Sequence, residues 1–190
     1  MRDGATKGLI ITVSGPHGTG KSTYAKALAE AFRLRYVSAG QLFRDMARKR
    51  GHSLETFSQI AAEDDKIDLE IDEMTKAEAK EGAVVIDAQL SAWMVGELAD
   101  VKVLILAVDD VRFKRIAERD GITVEEARKQ TLARELIQKQ RYEKYYGIDV
   151  SNMSIYDLKI DAGLYPIEKA KSVVIDSVRR FMDRSELSGS

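Results

Sequence analysis

Residues 8–33, GLIITVSGPHGTGKSTYAKALAEAFR, decide the fold. Residues 8–13 form an apolar, β-branched run of strand length, and residues 21–33 carry apolar positions at helical spacing. Between them, Gly15, Pro16, His17, Gly18, Thr19, Gly20, Lys21 and Ser22 match G-x-x-x-x-G-K-[ST] in full. A strand entering this motif and a helix leaving it is the context that marks a phosphate-cradling P-loop. The glycines let backbone amides converge on phosphates, and the helix N-terminus adds its positive dipole end. Lys21 is the candidate to reach the β- and γ-phosphates, the Ser22 hydroxyl is a candidate magnesium ligand, and Thr23 extends the nucleotide-binding segment. His17 reads as a spacer within the loop.

Working outward, the pattern alternates. A brief strand at 35–37 is followed by helical stretches at 41–50, 53–62 and 67–80, with breaks at Gly51 and the Asp64-Asp65 pair. AVVID at 83–87 and VKVLILAV at 101–108 are near-continuous apolar runs, the pattern of parallel strands buried on both faces. A helix at 110–119 ends at Gly121. Thr123, with Glu126 three residues later, forms a capping box that opens a long polar helix to Tyr146, and Gly147 ends it. Residues 154–160 read as a last strand, and Pro166 suits the first turn of a terminal amphipathic helix. The expectation is a single α/β domain over 1–190, a three-layer P-loop NTPase fold on a parallel five-stranded sheet. In such sheets ligands bind beyond the carboxyl ends of the strands. Residues 1–7 and 186–190 read as ragged ends.

Composition narrows the function. Thirty basic and 31 acidic side chains leave a net charge of −1, so nothing global draws the chain to nucleic acid or an anionic membrane. The absence of cysteine excludes disulfides and thiolate metal sites, and two histidines, His17 and His52, make a poor zinc set. No run approaches the length of a membrane span and the apolar opening lacks signal-peptide flanks, so a soluble cytoplasmic protein is expected. Charge is uneven locally. Residues 55–81 carry ten acids and three bases, and residues 112–144 carry ten bases and six acids.

Further candidates follow from this frame. Asp87 ends a central strand, placing its carboxylate at the P-loop edge of the sheet to orient magnesium or its waters. The basic arm holds Arg112, Arg115, Arg119, Arg134 and Arg141, and guanidinium groups match phosphoryl oxygens bidentately. Arg134 and Arg141 stand seven apart, two helical turns on one face. Tyr142, Tyr145 and Tyr146 read as packing rather than base stacking. A regulatory GTPase would need N-K-x-D and D-x-x-G motifs, and neither is present. A metabolite kinase remains. Alternatives are a kinase with an acceptor such as AMP, and a P-loop ATPase or nucleotide-binding regulatory protein.

The segments GPHGTGKST, YVSAGQLFRDMARKRG, EDDKIDLEIDE, VVIDAQLSAWM, VRFKRIAERDGITVEEA and RYEKYYGIDVSNMSIYDLKID, in this order, resemble the archaeal-type cytidylate kinases of the adenylate-kinase-like family. The resemblance spans residues 9–180. It implies ATP as phosphoryl donor, Mg2+ as cofactor, and CMP as acceptor, with dCMP or UMP as further acceptors. It also implies an acceptor-binding lobe at 38–81, a lid at 119–146, and Ser38 and Arg44 holding the monophosphate. Arg134 and Arg141 match the lid arginines of the family, with Arg119 at the start of that region and Asp87 and Gln89 on the acceptor side. The chain departs from the family pattern twice. Ala88-Gln89-Leu90 stands where Gly-Arg-Leu is typical, and Gln138 stands where an acidic residue is common between the lid arginines.

Overall fold

A computed structural model describes residues 8–64 and 66–188. Five strands, β1 (Ile10–Ser14), β2 (Arg35–Ser38), β3 (Val84–Asp87), β4 (Val101–Leu106) and β5 (Leu158–Asp161), form one sheet in the order β2-β3-β1-β4-β5, with every pairing parallel. The β-branched central strands β1 and β3 are buried along their whole length, as a sheet covered on both faces requires.

Period-two alternation sends the strand side chains to two separate cores. Ile11, Val13, Val85, Val103 and Ile105 face α1 (Lys21–Phe32) and α8 (Ile167–Ser188), packing on Tyr24, Leu28, Val174 and Val178. Ile10, Val84 and Ile86 face the other way, onto Ala79 of α4 (Lys66–Glu81) and Val95 of α5 (Ser91–Val95). A third cluster lies apart from the sheet. Met46 and Ala47 of α2 (Ala39–Lys49), Phe57 and Ala61 of α3 (Leu54–Glu63), and Ile67 and Ile71 of α4 bury one another.

On the opposite flank, α6 (Asp109–Asp120) packs on α7 (Val124–Tyr146) through Ile116, Ala117 and Ala127. The expected capping box is present, with the Glu126 amide donating to Thr123 Oγ1 at 3.2 Å and the Thr123 amide donating to Glu126 Oε2 at 2.9 Å. Gly147 ends the helix at φ 63°, the left-handed geometry that a residue without Cβ adopts most easily. Of the 23 residues of α7 only Ala127 and Thr131 are buried.

Most of the elements read from the sequence are present, with differences chiefly at their ends. The 83–87 strand begins at Val84, because Ala83 takes a positive φ of 48° where the chain turns in. The 101–108 strand stops at Leu106, since Val108 already precedes α6. The last strand starts at Leu158 rather than Ser154, because the Ser151 and Ser154 amides donate to the Asp149 carboxylate and the Asn152 carboxamide oxygen respectively and curl the backbone into turns. Residues 186–188, expected to be ragged, continue α8, while 1–7, 189, 190 and Asp65 lie outside the described residues. The short helix α5 was not read from the sequence. No helix among the described residues is long and apolar enough to cross a membrane.

Candidate active site

The P-loop leaves the carboxyl end of β1 and folds back before α1. Gly15 approaches the Ile105 carbonyl so closely that a Cβ would lie 2.4 Å from its oxygen, and at Gly18 a Cβ would lie 2.6 Å from the Arg112 carbonyl oxygen. Only glycine lets the loop lie this close to β4 and α6. Gly20 caps α1 at φ 86° with no side chain on the first-turn amides. The Thr23 amide turns back to the Gly20 carbonyl at 2.9 Å, and an anion placed at this end of α1 gains from the remaining first-turn amides and from the helix dipole.

Strand register brings the distant residues in. Asp87 pairs with Val13 on one side and with Ser38 on the other, so the ends of β1, β2 and β3 lie together. The buried Asp87 carboxylate holds Lys21 Nζ at 3.0 Å through Oδ1 and accepts from the Tyr36 hydroxyl at 2.8 Å through Oδ2. Burial, with the Asp87 charge beside it, pushes the Tyr36 phenol up to about 12, so Tyr36 stays a donor at any ordinary pH. Tyr36 was missed in the sequence. Its only link to the motif is strand order, which the local sequence does not display.

The basic arm divides by role. Arg112 is buried and fully engaged: its Nε donates to the His17 carbonyl at 2.8 Å, and its other nitrogens bind Asp109 at 2.6 Å and Glu135. Arg115 donates to the Thr19 carbonyl at 3.1 Å. These two brace the loop. Arg119 rests on its neighbour Asp120 at 2.7 Å and lines, with Lys21, Ser22, Thr23 and Arg134, a cavity of about 520 Å³ over the P-loop. Arg134 also lines a second cavity of about 710 Å³, together with Arg44, Asp68 and Arg141. The expected seven-residue pair therefore does face one space, and Arg134 stands between the two.

The remaining contacts tie α7 down. Arg141 pairs with Asp68, Tyr146 donates to Asp72 Oδ2 at 2.6 Å, and Tyr142 donates to Gln89 Oε1 at 2.8 Å. Tyr142 and Tyr146 thus act through their hydroxyls, whereas Tyr145 is exposed. Burial pushes the Tyr142 phenol up to about 12 and raises the Asp72 carboxyl from its ordinary value. His17, read as a spacer, is bonded at its ring, its amide and its carbonyl. A small cavity of about 160 Å³ opens beside Gln89, lined by Phe43, Asp68, Asp72, Thr75 and Tyr146.

Residues 10–163 match the model of the cytidylate kinase-like family. The chain belongs to that family. Among its curated relatives, the cytidylate kinase of Staphylothermus marinus is 47% identical over 92% of this chain and 98% of its own length. That of Aeropyrum pernix is 46% identical over 88% and 98%, and that of Archaeoglobus fulgidus 44% over 88% and 93%. Solved structures show the same fold at much lower identity. A shikimate kinase from Bacteroides thetaiotaomicron superposes with a TM-score of 0.62 at 16% identity, covering 90% of this chain and 98% of that one. A gluconokinase from Sinorhizobium meliloti 1021 gives 0.63 at 15% identity over 97% and 98%. The cytidylate kinase-like fold here is therefore that of the P-loop kinases.

Proposed function

We propose that this protein transfers the γ-phosphoryl group of ATP to CMP, giving ADP and CDP. The single observation that carries this reading is Arg134, shared by the cavity over the P-loop and the cavity walled by Arg44 and Arg141. In transfer, an oxygen of the CMP phosphate bonds to the γ-phosphorus while the bond from that phosphorus to the β–γ bridging oxygen breaks, and ADP leaves with the electron pair. Such a reaction needs charge stabilisation and alignment at the junction of two phosphate sites more than it needs a strong base.

Each residue has a part in this reading. Residues 15–23 hold the donor phosphates, with Lys21 on the β- and γ-oxygens. Arg119, Arg134 and Arg141 form the cationic side of the junction, on the lid at 119–146. Ser38, Arg44 and Gln89 belong to the acceptor side, in and beside the lobe at 38–81. Magnesium fits at Ser22 and Asp87: the buried Asp87 oxygen already faces a cation, Lys21, and no group of three acidic or histidine side chains among the described residues offers a closed metal cage. A cation sharing its shell with phosphate oxygens needs no such cage, and when bound it neutralises charge on them.

The small cavity supports cytosine as the base. Asp68 and Asp72 place carboxylates on its wall, and carboxylates accept from the 4-amino group of cytosine but oppose the 4-carbonyl of uracil. CMP should accordingly lead dCMP, UMP and AMP in kcat/KM when ADP release is followed in a coupled assay with each monophosphate. ADP release that needs no monophosphate, or a preference for AMP, overturns the reading.

A further inference from the structure

The main chain and ring of His17 are tied to α6 and α7 at three points. Its amide donates to Glu135 Oε1 at 3.1 Å, its carbonyl accepts from Arg112 Nε at 2.8 Å, and its ring Nε2 lies 2.8 Å from Gln138 Oε1. Gln89 also reaches this ring, with its Nε2 at 3.4 Å. One ring nitrogen cannot donate to Gln138 and accept from Gln89 together. Gln89 Oε1 is committed to the Tyr142 hydroxyl, so its nitrogen is the group that faces His17. The 2.8 Å contact outweighs the 3.4 Å one, and the imidazole carries its proton on Nε2 and donates to Gln138.

What this bond controls follows from how weakly α7 is packed. Beyond Thr131 no residue of α7 is fully buried, and the half-buried Tyr142 is itself placed by its bond to Gln89, so apolar contact alone does not set the rotation of the helix about its axis there. Polar ties do. Gln138 lies four residues after Arg134 and three before Arg141, on the same helical face. Fixing Gln138 fixes the direction in which both arginines point. We propose that His17 is a positioning residue for phosphoryl transfer, joining the P-loop apex to the lid helix through Gln138 so that Arg134 is held over the phosphate cradle.

This rests on the kinase reading above and adds to it a part for the variable third position of the P-loop motif and for the two glutamines by which this chain departs from the family pattern. Both glutamines meet at one histidine. A neutral amide partner suits the role. Burial lowers the His17 pKa, and the nearby Arg134 and Lys21 charges lower it further against the opposing Gln138 bond and Glu135 carboxylate. The ring stays uncharged and does not compete with Lys21 for phosphate.

The test is a set of variants assayed with ATP and CMP. His17→Ala and Gln138→Ala should each lower kcat about three- to tenfold, the range of one neutral hydrogen bond, with KM for CMP changed less than about twofold. The double variant should be no worse than the more severe single variant. Arg134→Ala should cost less in the His17→Ala background than in the parent, and amide exchange over residues 132–146 should quicken in both single variants. Gln138→Glu adds a readout that a merely structural contact would not move. Its carboxylate should raise the His17 pKa against the facing Lys21, Arg112 and Arg134 charges, and with Glu135, so that kcat gains an inflection between about pH 6 and 8. That inflection should vanish in His17→Ala/Gln138→Glu. Additive losses, an undiminished Arg134→Ala penalty or unchanged exchange overturn the proposal. If the parent fails to phosphorylate CMP, the functional reading falls, while the exchange measurement still decides whether the tie exists.

Discussion

Lys21 and Asp87 are each other's closest charged partners, one a fifth exposed and the other sealed from solvent, which makes the pair sensitive to loss of either member. Lys21→Ala should reduce transfer by about 10²- to 10³-fold, the scale of removing one preorganised charge donor. The variant should still fold, because Tyr36 continues to donate to the carboxylate. Circular dichroism and the coupled assay check both halves. A second prediction concerns alkaline pH. Tyr36, Tyr142 and Tyr156 are all pushed up to about 12 from an ordinary value near 10, mainly by burial. Between those limits the unfolded chain has lost protons that the native state keeps, so stability is full below pH 10 and falls as pH rises towards 12. Urea midpoints should follow that course, and Tyr36→Phe should flatten it. At this scale the sequence displayed Lys21 and Ser22 because they sit inside one short motif. Tyr36 and Glu135 stayed hidden, because their partners lie 51 and 118 residues away and meet them only through the tertiary fold.

Among the elements, α7 carries the clearest expectation. Its first turn is secured by the capping box and by contact with α6, and the rest is held by separate polar ties. Thr123→Ala should cost about 1 kcal/mol of stability, read from the thermal or urea midpoint. Amide exchange from 121 to 146 should slow when ATP and CMP analogues are bound together, as expected of a lid that closes on both, and unchanged exchange there would count against a lid. Legibility varied among elements for a physical reason. β1, β3, α1 and α7 carry their signals locally, in apolar runs, a glycine motif and a capping box. The five-residue α5 is too short for helical periodicity to register, and its position depends on the Ser91 hydroxyl, which meets Ser14 Oγ at 2.9 Å and the Val13 carbonyl at 3.2 Å. The turns before β5 are written in Asp149 and Asn152, side chains whose turn-forming bonds compete with the strand pattern around them.

For the whole molecule, the uneven charge seen in the sequence becomes a contact. The acidic α4 and the basic α7 meet at Asp68 with Arg141, both about 30% exposed, and at Asp72 with Tyr146. The ion pair is accessible enough for salt to screen it. KM for CMP should therefore rise with ionic strength in the parent, and Asp68→Asn should blunt that dependence, both measurable by initial rates from low to high salt. A KM indifferent to salt would show that the meeting of the two arms does not govern acceptor binding.

One helix belongs to two of the cores at once. Ala79, near the end of α4, is packed under the sheet with Ile10 and Val84, while Ile67 and Ile71, near its start, belong to the small cluster with Phe57 and Met46. In mechanical terms α4 is a strut that joins the core beneath the sheet to the small cluster of the lobe. Asp68 and Ala79 stand about 16 Å apart along the helix, so a tilt of about 10° about the sheet-side contact would carry Asp68 through about 3 Å. The lobe end bears Asp68 and Asp72, whose bonds to Arg141 and Tyr146 join it to α7, so any such tilt would be passed directly to the arginine-bearing helix.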